Sequence, residues 1–202
     1  MKRKTFDFLA SMGGVLIVIV LVAAGALATW AWTYTNSTVH NQLAAQGIYF
    51  PAASAFAHAK AGTEITPSMI PSVSQYAGQQ LLTGQQAEVY ANDFIAVHLS
   101  EMPYHGVYAA ISNAARAAKP GSAQAAKISA LEATSFQGTT LRGLLLEAYG
   151  FATFGLIAFW ASIVAFCFAF ITAVLVALGF WHERRTPAQA ELLPMHTETR
   201  AA

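Results

Sequence analysis

The chain has 202 residues, 55% of them hydrophobic and only 10% charged, with a net charge of +1. An average soluble domain carries roughly 25% charged residues, so this composition is that of a membrane protein. The near-neutral balance excludes the electrostatic footprint of a nucleic-acid binder. The lone Cys167 excludes an intrachain disulfide and any zinc or iron–sulfur site built on cysteines.

Residues 1–11 form a basic start, with Lys2, Arg3 and Lys4, and are assigned to the cytoplasm. Residues 12–32 carry no charge, and a first transmembrane helix is placed at 12–34. A basic start, an apolar middle and Ala26-Leu27-Ala28 also fit a cleavable signal peptide. The apolar run continues past that point through Trp30 and Trp32, a pair expected at an interfacial aromatic belt, so a retained anchor is the preferred reading. Residues 35–147 are assigned to an extracytoplasmic domain. Its first part is polar and free of proline, and it extends the helix as far as a cap at Gly47. From 48 to 80, Pro51, Gly62, Pro67, Pro71 and Gly78 leave room only for short helical turns.

Thr83-Gly84 opens a helix on which Val89, Phe94, Ile95, Val97, Leu99 and Met102 recur near helical spacing, with Pro103 ending or kinking it. A second helix is expected over 104–119. Ser122 caps a third, alanine-rich helix that Gln137-Gly138 breaks, and Thr139 or Thr140 caps a fourth that runs into the next span. No alternating pattern competes, so the outer part is expected to be all-helical. Its apolar faces are thin, and a domain this small completes its core against the membrane-proximal helices or a partner.

Residues 148–181 carry no charge and are long enough for a second span, since a bilayer core needs about 20 apolar residues in helix. Trp181 marks its interface, and His182-Glu183-Arg184-Arg185 stop it. Basic residues outside both ends place both termini in the cytoplasm, with residues 182–202 a tail expected to be disordered. The fold expected is an all-α membrane protein: two transmembrane helices in a hairpin with a small helical extracytoplasmic domain.

Two local phrases, Tyr90-Ala91-Asn92-Asp93-Phe94-Ile95 with His98-Leu99, and Gly138-Thr139-Thr140-Leu141-Arg142-Gly143-Leu144-Leu145-Leu146, make the chain resemble a family of small actinobacterial two-span membrane proteins. Many members carry an automatic label as aromatic ring-opening dioxygenases. The resemblance implies the two-span architecture and supplies no activity. Ring opening at non-haem iron needs two His and one carboxylate around an open metal position. The chain has six His, and the nearest approach to such a set is His98, Glu101 and His105, spaced to share a helix face. Pro103 interrupts that face, so these are read as ordinary histidines, with no cofactor expected.

The second span carries two small-residue patterns. Ala161, Ala165, Ala169, Ala173 and Ala177 repeat every fourth position, whereas Ala158, Ser162, Ala165, Ala169, Thr172, Val176 and Gly179 alternate steps of four and three. Helices associate in lipid mainly by close approach across small side chains, so this face is expected to pack, most simply on the first span, with Phe159, Phe166, Phe170 and Leu178 turned to lipid. Cys167 is read as a small packing residue. Arg142 and Glu147 lie where the outer domain meets the membrane, and they offer a polar rim for a lipid or quinone headgroup or a partner. Their ordinary alternative is interfacial snorkelling. Without charges inside either span a pump is disfavoured. The expectation is therefore a non-enzymatic membrane protein that serves as an accessory subunit or assembly partner, with the bilayer and a membrane protein or a second copy as its partners. An enzyme with a metal or redox site in the outer domain and a lipid-binding module are the alternatives.

Overall fold

A computed structural model describes residues 3–187 and 190. Helix α1 runs from Arg3–Gln46 without a break and ends on Gly47, whose φ of +63° suits a residue lacking a Cβ. Short pieces follow: α2 (Ala53–Phe56), a 3₁₀ turn (Pro67–Met69), α3 (Ile70–Val73) and a second 3₁₀ turn (Ser74–Tyr76). Helix α4 (Gly84–Val89) passes into a π-helical turn (Tyr90–Ile95) and then α5 (Ala96–Glu101). A left-handed turn (Pro103–Gly106) leads to α6 (Tyr108–Ala117), and α7 spans Ala123–Arg185. Among the described residues the fold is all-helical, apart from an isolated bridge between Tyr49 and Gln80.

Helices α1 and α7 have 44 and 63 residues, which at 1.5 Å per residue is about 66 and 95 Å, against about 30 Å of bilayer hydrocarbon. Both are long and apolar enough to cross a membrane, and only 11% and 6% of their most apolar windows are buried.

The chain divides into two compact units, one formed by Met1–Trp32 with Ile157–Ala202 and the other by Thr33–Leu156. In the first, the two long helices run side by side in opposite chain directions. Phe8 meets Phe180 edge-on with ring centres 6.5 Å apart, and Trp32 meets Phe159 at 5.0 Å. Between these contacts Gly14 faces Val176, Gly25 faces Phe166 and Gly179 faces Ser11 so closely that a Cβ on any of the three would collide. Phe159 thus packs against Trp32 rather than facing outward, while the ring of Phe166 lies against the bare backbone of Gly25 and stays 42% exposed. Phe170, 71% exposed, and Leu178 face outward. Cys167 is exposed instead of packed, since it lies off the face that carries Ala165 and Ala169.

In the second unit the core consists of Val39 and Leu43 from α1, Phe50, Met69, Val73 and Leu81 from the segment after it, Ala87, Val89, Ala91 and Ile95 from α4 and the π turn, and Leu145 from α7. The polar-looking end of α1 is therefore a core helix of this unit. Thr83 opens α4 with a capping box: its hydroxyl accepts from the Gln86 amide, while the Gln86 side chain accepts from the Thr83 N–H. Gly84 lets α4 lie directly on α7, where a Cβ would come within 2.2 Å of that of Ala152.

Two expected helix boundaries shift. Ser122 does cap α7 through the Ala125 amide, but Gln137-Gly138 does not break the helix, and Thr139 and Thr140 are interior to it. A mid-helix glycine costs only about 1 kcal/mol, and here it admits Leu99, whose side chain would be 2.9 Å from a Cβ at Gly138. The helix expected from residue 104 begins at Tyr108, because Tyr104 and His105 adopt φ values of 59° and 53°. The expectation of a disordered tail falls mostly on residues 188–189 and 191–202, outside those described.

Candidate functional site

The π turn contains an extra residue within a continuous helix, a feature common at functional positions. Here Asn92 Nδ2 donates to Glu88 Oε1 over 3.3 Å, and Arg142 Nη2 donates to Asn92 Oδ1 over 2.8 Å. Arg142 Nε is buried and has no hydrogen-bonding partner among the described residues. An aromatic column runs alongside, from Tyr76 to Phe50 (5.1 Å between centres), Tyr90 (5.3 Å), Phe94 (4.7 Å) and His98 (4.6 Å). His98 Nδ1 donates to the Phe94 carbonyl over 2.8 Å, which fixes the ring. The two phrases behind the family resemblance are the ones that meet here. Arg142 reaches Asn92, and Leu99 fills the gap over Gly138.

Burial pushes the Tyr90 hydroxyl above its ordinary pKa of 10.0, and the charge of Glu64 adds to the effect. The folded chain therefore holds this proton longer than the unfolded one. The corresponding stability is fully present below about pH 10 and is lost as the pH rises through the folded value. Tyr90→Phe is expected to make the alkaline decline of thermal stability shallower, as followed by circular dichroism in detergent.

The structure does not bring His98, Glu101 and His105 together as ligands. His98 is tied to Phe94, Glu101 is exposed, and His105 sits in the left-handed turn. Among the described residues no three His, Cys, Asp or Glu side chains are grouped to hold a metal ion. The turn is pinned from below: Ser135, fully buried on α7, donates to the Gly106 carbonyl over 2.7 Å.

Of the small residues on the second apolar segment, Ser162 and Ala169 are buried. Ala158, Ala165, Thr172 and Ala173 are half-buried, and Ala161 and Ala177 are exposed. Burial thus follows the alternating steps of four and three. Trp30 is 65% exposed, Trp32 packs on Phe159, and Trp181 carries the Arg185 guanidinium 4.3 Å above its ring.

Arg142 and Glu147 do not form one rim. Five residues of helix separate them by about 140°, so Arg142 turns to Asn92 while Glu147 lines a cavity of ≈ 380 Å³ between α1 and α7. Tyr34, Thr35, Thr38, Gln42 and Gln46 form its polar wall. That wall was present in the sequence as polar residues at steps of three and four directly after an apolar run. In the unit of Met1–Trp32 with Ile157–Ala202 a smaller cavity of ≈ 240 Å³ is lined by Asp7, Ser11, Thr172 and His182. There His182 Nε2 is 3.8 Å from Asp7 Oδ2 and 3.4 Å from Arg3 Nη2. Comparisons with protein-family models, curated proteins and solved structures return no match.

Proposed function

We propose that this chain is a two-span membrane protein with both termini in the cytoplasm, and that its helical outer domain docks a protein partner as an accessory or assembly subunit. The membrane part of this reading is supported by the outward faces of α1 and α7. Phe154 and Phe170 are 71% exposed, Leu27 69% and Leu16 63%, on the apolar runs of these helices. Continuous apolar surface of this kind is stable in lipid and unstable in water.

The accessory role rests on a separate patch. Tyr104, Val107, Tyr108 and Phe136 are each more than two-fifths exposed, and Tyr108 and Phe136 lie with ring centres 5.7 Å apart. Phe136 stands twelve residues before Ala148, about 18 Å of helix away from the apolar run and hence beyond the reach of lipid tails. Exposed aromatic side chains clustered outside the bilayer are the usual anchors of a protein interface.

Native mass measurement after mild-detergent purification tests the role. A co-purifying subunit is expected with the wild type and with Lys127→Glu, and at least tenfold less of it with Tyr108→Asp plus Phe136→Asp. Equal recovery from both variants would remove the patch as the interface. Orientation is checked with a membrane-impermeant maleimide, which is expected to label Gly62→Cys in intact cells in a Cys167→Ser background.

A further inference from the structure

The cavity between α1 and α7 in the Thr33–Leu156 unit is built for a particular chemistry. Among the described residues Glu147 is the only charged one lining it, and it has neither an ion pair nor a hydrogen-bonding partner among them. Around it stand neutral groups able to both donate and accept: the hydroxyls of Tyr34, Thr35 and Thr38 and the amides of Gln42 and Gln46. The remaining wall is apolar, made by Val39, Leu43, Leu144 and Phe151. Tyr34 follows the first apolar run by two residues, and Ala148 begins the second, so both helices contribute the cavity where their apolar runs end.

We propose that this cavity binds the primary ammonium headgroup of an aminophospholipid, an inference that rests on the membrane reading above. The carboxylate of Glu147 attracts the cation, and the ammonium protons reach the threonine hydroxyl oxygens and glutamine carbonyls. The rings of Tyr34 and Phe151 offer π faces to the same charge. The amide N–H groups of Gln42 and Gln46 and the Tyr34 hydroxyl can donate to the adjoining phosphate, for which the cavity has no cation of its own. Val39, Leu43 and Leu144 accept the first methylenes of the glycerol and acyl region. The volume stands at the low end for ligand cavities, enough for one headgroup and little more. Glu147 and Gln46 are exposed on one side, which leaves the headgroup an entrance.

The test uses the full chain in non-ionic detergent with phosphatidylethanolamine, phosphatidylcholine and phosphatidylglycerol of identical acyl chains, with retention read by native mass spectrometry. Phosphatidylethanolamine is expected to be retained about tenfold better than either of the others, since a quaternary amine cannot donate hydrogen bonds and glycerol carries no charge. Glu147→Gln is expected to erase that preference, and Thr38→Val, which keeps the shape and loses the hydroxyl, to weaken it. Equal retention of the three lipids, or an undiminished preference in Glu147→Gln with wild-type helicity, overturns the proposal. Displacement by soluble glycerophosphoethanolamine at the same concentration as by the lipid overturns the lipid as its source. Failure of the membrane reading shows separately and earlier, as a chain that stays in solution without detergent.

Discussion

Gly106→Ala is expected to lower stability by roughly 2–5 kcal/mol, among the largest effects available to a single methyl group in this chain. Two contributions add. At φ +64° an alanine sits in the left-handed region, which costs about 1–2 kcal/mol for a residue with a Cβ. The new Cβ would also fall 2.3 Å from the Leu99 carbonyl oxygen, a backbone atom already accepting from the Met102 amide. Overpacking against an atom that cannot swing aside adds about 1–3 kcal/mol. The neighbours Tyr104 and His105 are also left-handed, so the turn persists only because its surroundings hold it there. The buried hydrogen bond from Ser135 is the main restraint visible. Thermal unfolding by circular dichroism in detergent reads the loss. An unchanged midpoint would mean that the turn can move away from Leu99.

Leu145→Ala is expected to cost about 2–5 kcal/mol, while the adjacent Leu144→Ala changes stability by no more than about 0.5 kcal/mol. Leu145 is fully buried among Val39, Leu43 and the π-turn residues, whereas Leu144 is 54% exposed on the cavity side. One helical step of about 100° separates the two fates. The pair therefore tests whether α7 contributes to the core of the Thr33–Leu156 unit at this register. Equal losses in the two variants would show that the helix is rotated from the orientation described.

Both apolar runs were legible in the residues because their signal, an unbroken absence of charge, needs no tertiary information. So were the helix start at Thr83-Gly84 and the caps at Ser122 and Gly47, where the chemistry of one side chain or the lack of one decides the boundary. Other features depend on neighbours distant in sequence. Gly138 reads as a break until Leu99 is seen to occupy the space that its missing side chain leaves. Tyr104 carries no mark of positive φ and His105 only a weak one, since histidine is enriched there but still rarely adopts it; Ser135 and the close approach of Leu99 to Gly106 hold the turn in place. Phe159 reads as lipid-facing because bulky rings usually are, and the opposing Trp32 reverses that, while Phe166 keeps its exposure beside Gly25. For the candidate site, Glu147 was legible as an unusual charge at the end of an apolar run. Its true neighbours on α1 were not, because the five-residue spacing to Arg142 drew attention along the chain instead of across to Thr38 and Gln42.

The wide turn over Tyr90–Ile95 leaves the side chains before and after it in two rotational frames of the same continuous rod. Upstream residues such as Ala87 take their bearing from the start of α4, while His98 and Leu99 point where they do only because the extra residue has been threaded in. Excising one position, Ala91 for instance, would allow an ordinary α-helix to form with every amide still satisfied. Because the wide turn absorbs that one residue, the excision would leave Leu99 close to its bearing on Gly138, whereas tightening the turn into an α-helix at unchanged length would swing Leu99 about a quarter-turn away. The width of the turn, and not the residue count alone, thus sets which side chains face α7 from here to Pro103.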